Sequence, residues 1–234
     1  LHTLLYPFIP TSLGCSTIQG FWQVLQQFMT PTPMATIICS AIVFMLLSMT
    51  MMAQADDSGG GKPKATDLMV RACKNASFNN PHVDPVTEEF CLTTLKSDNR
   101  STKAMDLREL LLVADDILRG RVTATGSTVK KMLENTRKGT VPMRVLSLCE
   151  VDYDTVLSIL KICDAMIRDY QGDEDKLQSS ELVSCVDMAY DCINECGSEL
   201  VDMPAVGALV NENNELAMLV KLNAALVAPH DISQ

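Results

Sequence analysis

Apolar residues recur at steps of three and four over most of the second half of the chain, the spacing of one buried helical face. Three such stripes run over residues 104–137, 146–170 and 182–196. The second is the most regular, and its apolar positions are Leu146, Cys149, Tyr153, Val156, Leu160, Cys163, Ile167 and Tyr170. The pattern predicts three long amphipathic helices. We expect the first to bend near residues 123–127, where Thr and Gly propagate a helix poorly, and the third to end at Gly197.

A fourth amphipathic segment follows Pro204 and Gly207, with apolar positions at Leu216, Leu219 and Leu226. Two short helical pieces, DLMVRACKNAS and PVTEEFCLTTL, precede the stripes, and each carries one cysteine. Short connections between long helices are typical of antiparallel bundles. We therefore predict an all-α fold: an antiparallel up-down-up-down four-helix bundle, preceded by a disulfide-closed N-terminal α-hairpin.

Charge is unevenly distributed, because residues 1–55 contain no Lys, Arg, Asp or Glu. Met34 opens an apolar run that ends in Ala53-Gln54-Ala55, the small-residue pattern of a signal-peptidase site. We predict a secretory signal peptide at 34–55, a leader or gene-model extension without a domain at 1–33, a polar linker at 56–65 and one domain at 66–230. A retained membrane anchor and a buried core helix are the alternatives for the apolar run.

The 19 basic and 29 acidic residues give a formal net charge of −10. A nucleic acid or another polyanion is therefore not expected as a partner, and a protein or a neutral molecule is favoured. No nucleophile motif, phosphate-binding loop or Cys/His pair indicates an enzyme. Asp115 and Asp116 are adjacent on a helix and should point apart, and Asp173–Asp175 fall in a solvated turn. We expect neither catalysis nor a cofactor.

Secretion permits disulfides. Removal of Cys15 and Cys39 with the leader leaves seven cysteines, an odd number. Asn75 and Asn99 head N-glycosylation sequons, which fit the same route. A zinc site is not expected, because the mature part offers only His82 and His230 beside the cysteines, at spacings that do not suit a shared site.

Helix register limits the disulfides that can join the second and third stripes. Pairing Cys149 with Cys192 places Cys163 and Cys185 roughly 10 Å out of register, whereas pairing Cys149 with Cys196 leaves them about 4.5 Å out. Spacing alone leaves both arrangements open.

Four segments together resemble the plant invertase/pectin methylesterase inhibitor family: CKNA at 73–76, CLTTLKSDNRS at 91–101, LSLCEVDYDTVLSIL at 146–160 and SCVDMAYDC at 184–192. The resemblance covers residues 66–228. It implies bridges between Cys73 and Cys91 and between Cys149 and Cys192, with thiols left at Cys163, Cys185 and Cys196.

The resemblance also implies a function: a secreted, monomeric inhibitor that docks one-to-one on its target enzyme in the cell wall or vacuole. No membrane association is expected once the signal peptide has been cleaved. Invertase inhibitors of this type insert a Pro-Lys-Phe segment into the target, and Lys176 matches that Lys, with Asp175 and Leu177 in place of Pro and Phe. Pectin methylesterase inhibitors use a helical face with a Trp-containing run and Ser-Ala-Ala, of which Val183-Ser184-Cys185-Val186 keeps only the Ser. The sequence thus slightly favours invertase over pectin methylesterase.

A small-molecule carrier with an apolar cavity inside the bundle is the alternative from another class. Five methionines supply adaptable side chains that can line such a pocket: Met105, Met132, Met143, Met166 and Met188.

Overall fold

Helices account for nearly all of the chain that the computed structural model describes, which comprises residues 66–78, 86–170, 180–201, 203 and 206–228. These residues belong to one compact unit, and no strand occurs among them. The leader, the predicted signal peptide and the linker lie outside the described residues. The helices are α1 (Asp67–Phe78), α2 (Glu88–Leu95), α3 (Leu107–Glu134), α4 (Val141–Asp169), α5 (Ser180–Leu200) and α6 (Gly207–Val227), with a 3-10 turn at Ser101–Lys103.

Local capping interactions fix where several helices begin. The Thr87 hydroxyl accepts a hydrogen bond from the Phe90 N–H (3.1 Å) at the start of α2. At the start of α3, the Asp106 carboxylate accepts from the Glu109 N–H (2.8 Å). Each bond satisfies an N–H that has no partner within its own helix. Between α3 and α4 the chain turns at Gly139, whose φ of +76° favours glycine, and Pro142 lies in the first turn of α4.

One sequence-based boundary was wrong, and the predicted bend at residues 123–127 falls inside a continuous helix. Helix α3 runs through these residues, where the Thr123 and Ser127 hydroxyls donate to the carbonyl oxygens of Arg119 and Thr123 (2.8 and 2.9 Å). Such bonds often bend a helix, and the bend stays a prediction. Those residues are accommodated inside the helix by bonds to its own backbone. Gly197 does not end α5, which continues to Leu200. Packing against a neighbouring helix outweighs the low helix propensity of glycine there.

Each long helix contacts the next one along the chain, and α3 also contacts α6. Ion pairs give the relative direction of α3 and α4, since Arg119 contacts Asp164 (3.3 Å) and Lys130 contacts Asp154 (3.6 Å). As residue numbers rise on α3 they fall on α4, so the two helices are antiparallel. Helices α1 and α2 contact each other, and α1 also contacts α6.

Apolar side chains from all six helices form the core. The second stripe was predicted well: seven of its eight positions are buried, and Tyr170 is half-buried. Within the part of the chain that is described, no helix is long and apolar enough to cross a membrane.

Candidate functional site

Three disulfides link described helices. Cys73 on α1 is joined to Cys91 on α2 (Cα–Cα 5.5 Å), the pair that the resemblance implied. Cys149 is joined to Cys196 (Cα–Cα 4.8 Å) and Cys163 to Cys185 (Cα–Cα 5.9 Å). The last two bridges both connect α4 to α5, which fixes the antiparallel register of this helix pair at two points.

The implied pairing of Cys149 with Cys192 is therefore wrong, as is the expectation of thiols at Cys163, Cys185 and Cys196. Cys192 is itself disulfide-bonded. The physical reason lies in the register: with Cys149 opposite Cys196, Cys163 and Cys185 come close enough to bond, whereas the other pairing leaves them too far apart. The structure adopts the arrangement that lets both bridges form.

A buried polar contact lies beside the Cys149–Cys196 bridge and joins α4, α5 and α6. The Tyr153 hydroxyl donates to Asn213 Oδ1 (2.8 Å), and Asn213 Nδ2 donates to the carbonyl oxygen of Ile193 (3.1 Å). Gly197 leaves room for the amide, because a Cβ at that position would lie 2.6 Å from Asn213 Nδ2. A satisfied buried network of this kind specifies how neighbouring helices align.

An unexpected cluster of carboxylates brings Asp115, Asp116 and Asp164 together, with one oxygen of each within 4.8 Å of the others. The expectation that Asp115 and Asp116 point apart was wrong. Arg119 forms ion pairs with all three, including Asp116 at 3.6 Å and Asp164 at 3.3 Å. Burial raises the pKa of Asp115 to about 6, and its hydrogen bond to Arg119 opposes that shift.

Two more guanidinium groups approach the same carboxylates. Arg168 donates to Asp164 (2.7 Å) and lowers the pKa of that carboxyl, while Arg100 donates to Asp116 (2.7 Å). Oxygens that would ligate a cation are therefore engaged by arginines, so the cluster is an ion-pair network rather than a metal centre. Arg100 belongs to the CLTTLKSDNRS segment, and the network fastens that segment to α3 and α4.

Asp152 on α4 is fully buried, and neither of its carboxylate oxygens has a hydrogen-bond partner. Burial, and secondarily the nearby charge of Glu195, raises the pKa of Asp152 to about 7. A buried carboxylate without a partner destabilises the folded state when it is ionised. Sequence periodicity gave no sign of this, because Asp152 lies between apolar stripe positions.

Helix α5 has an acidic outer surface and contains no Lys, Arg or His. Glu181, Asp191 and Glu199 are exposed, and Asp187 and Glu195 are half-buried. Partial burial raises the pKa of Asp191. Asp187, Asp191, Glu195 and Glu199 follow each other at four-residue steps, so their carboxylates lie along one side of the helix about 6 Å apart. We call these five residues the acidic face.

The remaining predicted site residues divide into two groups. Asp175, Lys176 and Leu177 lie outside the described residues, in the connection between α4 and α5. Asn75 on α1 and Asn99 after α2 are both exposed, as glycosylation would require. Glycan attachment at either position remains a prediction.

None of the methionines proposed for a carrier cavity is fully buried, although Met132, Met166 and Met188 pack against the core. Met105 is 85% exposed, and Met132, Met143, Met166 and Met188 are half-buried. Two surface depressions of about 450 and 530 Å³ occur in the described part, and both are lined mainly by charged residues, among them Arg108, Arg168 and Arg71. Such open, charged depressions do not suit an apolar ligand.

The described residues thus define a helical bundle whose second and third long helices are held together by disulfides. The sequence model of the plant invertase/pectin methylesterase inhibitor family matches residues 67–226, and the chain belongs to this family. Its proteins are inhibitors rather than enzymes, in agreement with the sequence-based expectation.

Solved structures with similar folds include a mutant form of a pectin methylesterase inhibitor from Arabidopsis, at 15% identity and a TM-score of 0.53. The similarity covers 69% of this chain and 96% of that one. A pectin methylesterase inhibitor from Arabidopsis thaliana is also 15% identical, with a TM-score of 0.46, over 70% of this chain and 96% of that one. No curated protein matches the sequence.

Proposed function

We propose that this protein is a secreted inhibitor that docks on a plant pectin methylesterase and blocks access to its substrate. The family match over residues 67–226 is the observation that carries the proposal. The protein acts as a monomer in a one-to-one complex, in the cell wall or the vacuole, after removal of the signal peptide at 34–55. Its long helices form an up-down-up-down four-helix bundle, and α1 and α2 form the N-terminal hairpin.

Charge on the described surface favours the esterase over invertase, in contrast to the slight preference drawn from the sequence. An esterase that acts on pectin produces carboxylates along its polymer, so its cleft must accept negative charge. The acidic face of α5 is complementary to such a cleft, with Glu181, Asp191 and Glu199 exposed. A glycosidase cleft instead holds paired carboxylates, which would repel the same surface.

Invertase remains the second candidate because of Lys176, a cation in the connection between α4 and α5. A lysine inserted between the two carboxylates of a glycosidase would gain charge complementarity. In that mode the loop with Asp175, Lys176 and Leu177 makes the contact, and the acidic face plays no part.

Paired variants separate the two modes. Asp191→Asn with Glu199→Gln removes two exposed charges from the acidic face, and we expect inhibition of a pectin methylesterase to weaken about tenfold, as for loss of complementary charge at an interface. Glu88→Gln with Glu89→Gln removes two exposed charges from α2 and is the matched control, which should inhibit like the unmodified protein.

Lys176→Gln tests the loop in the same assays. We expect it to leave esterase inhibition unchanged. If Lys176→Gln abolishes inhibition of an acid invertase while the α5 variant inhibits both enzymes normally, the acidic face is not the contact surface and the loop mode is correct.

A further inference from the structure

The turn between α3 and α4 concentrates positive charge in an otherwise acidic protein. Five of the chain's 19 Lys and Arg residues fall between positions 130 and 144, and Glu134 is the only acid in that segment. All five are exposed, and we call the four that form no ion pair with a described residue the basic tip: Lys131, Arg137, Lys138 and Arg144. The formal net charge of −10 conceals this local excess.

Hydrogen bonds from side chains to backbone carbonyls hold the turn that carries the basic tip. Asn135 Nδ2 donates to the carbonyl oxygen of Lys131 (2.8 Å), and the Thr140 hydroxyl donates to that of Arg137 (2.7 Å). Gly139 supplies the positive φ that reverses the chain. Neighbouring helices pack about 8–10 Å apart, so cations at the end of α3 and the start of α4 lie within reach of one extended ligand.

The four cations of the basic tip lack acidic partners, unlike most of the other arginines. Arg100, Arg119, Arg121 and Arg168 each form an ion pair with a described carboxylate. Lys130, next to the tip, pairs with Asp154 (3.6 Å). None of the four tip cations forms an ion pair with a described residue. The charges of the tip are therefore available to a ligand from solution.

We propose that the basic tip binds de-esterified pectin, a polymer with a carboxylate on each sugar ring. The choice of this polyanion rests on the proposed function, because the target esterase creates it. Several carboxylates along the polymer can pair with the four exposed cations, and counterion release favours their association. Val141, 57% exposed, and the exposed Pro142 lie between the cations and offer apolar surface to the sugar rings.

Such binding would hold the inhibitor where the esterase has already acted. The acidic face and the basic tip carry opposite charge, so one molecule can contact the enzyme through α5 and the polymer through the turn. Methyl-esterified pectin lacks the carboxylates and is not bound. The expectation that the protein binds no polyanion was drawn from net charge, which does not describe a local surface.

The test is direct binding of the oxidised protein to polygalacturonate at low ionic strength, with fully methyl-esterified pectin as the second probe and no esterase present. We expect binding to polygalacturonate alone, and affinity that falls steeply as salt is added. Arg137→Gln with Lys138→Gln should lower the affinity about tenfold. Arg71→Gln with Lys74→Gln removes the same charge from exposed positions on α1 and should bind like the unmodified protein.

The proposal would be overturned if the protein bound both polymers equally or bound neither. It would also be overturned if the tip variant and its α1 control lost affinity equally. Esterase inhibition is measured separately on each variant. Normal inhibition without polymer binding would refute the tip proposal alone, whereas polymer binding without inhibition would refute the proposed function and leave the tip as a polyuronate-binding surface.

Discussion

The Asn213 amide is held between Tyr153 and the α5 backbone, in space that Gly197 leaves open. Gly197→Ala would place a Cβ against Asn213 Nδ2. The Asn213 side chain could move away only by breaking one of its hydrogen bonds. We expect the free energy of unfolding to fall by about 1–3 kcal/mol, the cost of an unsatisfied buried polar group. Chemical denaturation of the oxidised protein measures this.

Gly120→Ala on α3 is the matched control, because a Cβ there meets nothing within 4 Å. The same substitution should stabilise the protein by about 0.5–1 kcal/mol through helix propensity. If both alanines stabilise the protein equally, the contact at Gly197 is not as tight as described.

The two disulfides between α4 and α5 determine which cysteines of these helices lie opposite each other. We expect peptide mapping of the unreduced protein to recover Cys149 linked to Cys196 and Cys163 linked to Cys185. Trypsin cleaves at Lys161, which separates Cys149 from Cys163, but α5 contains no tryptic site. A second protease that cleaves at Asp and Glu separates Cys185, Cys192 and Cys196 at Asp187, Asp191 and Glu195.

Cys192→Ala is the control for this map. It should leave both α4–α5 bridges intact. Recovery of a peptide pair that contains Cys149 and Cys192 would contradict the register. Replacing Cys163 and Cys185 together with Ala opens a crosslink across 22 positions and should cost about 3 kcal/mol of stability.

Periodicity predicted the long helices because the buried stripe repeats along each of them, as the burial of Leu146, Val156 and Ile167 on α4 shows. The end of α5 was misplaced, since a single glycine is a weak signal when a neighbouring helix packs against it. The cysteine pairing was also misassigned, although helical register had left the correct pairing open. The pairing of Cys149 with Cys192 was taken from the family resemblance, which does not account for the additional cysteines of this chain.

The ion-pair network could not be predicted from sequence spacing. Arg100, Asp116 and Asp164 are far apart along the chain and meet only once α3, α4 and the 3-10 turn have packed. The acidic face and the basic tip could both have been predicted from the sequence, as acids at four-residue steps and as a run of Lys and Arg between two stripes. The formal net charge of −10 drew attention away from the basic tip.

Stability of the whole molecule should depend on pH through buried carboxyls. Burial raises the pKa of Asp152 to about 7 and that of Asp115 to about 6, from an ordinary value of 3.8. At pH values between 3.8 and the raised pKa of each carboxyl, the folded state holds a proton that the unfolded chain has released. The free energy of unfolding therefore falls as pH rises from about 4 to 7, by up to about 1.4 kcal/mol per pH unit for each group.

We expect the melting temperature to be higher at about pH 5 than at about pH 7.5 and Asp152→Asn to reduce that difference, because an amide does not ionise. Asp154→Asn, at an exposed position on the same helix, should leave the difference unchanged. Equal melting temperatures of the unmodified protein at the two pH values would show that these carboxyls are not buried in the way described.

We expect the intact protein to block a pectin methylesterase through a one-to-one complex. The direct measurement is an inhibition titration of the oxidised, unmodified protein against one plant pectin methylesterase and one plant acid invertase, at mildly acidic pH. Esterase activity should fall linearly and reach its minimum at one inhibitor per enzyme, with invertase activity retained. Full esterase activity in the presence of excess protein would show that the protein is not an inhibitor of this enzyme.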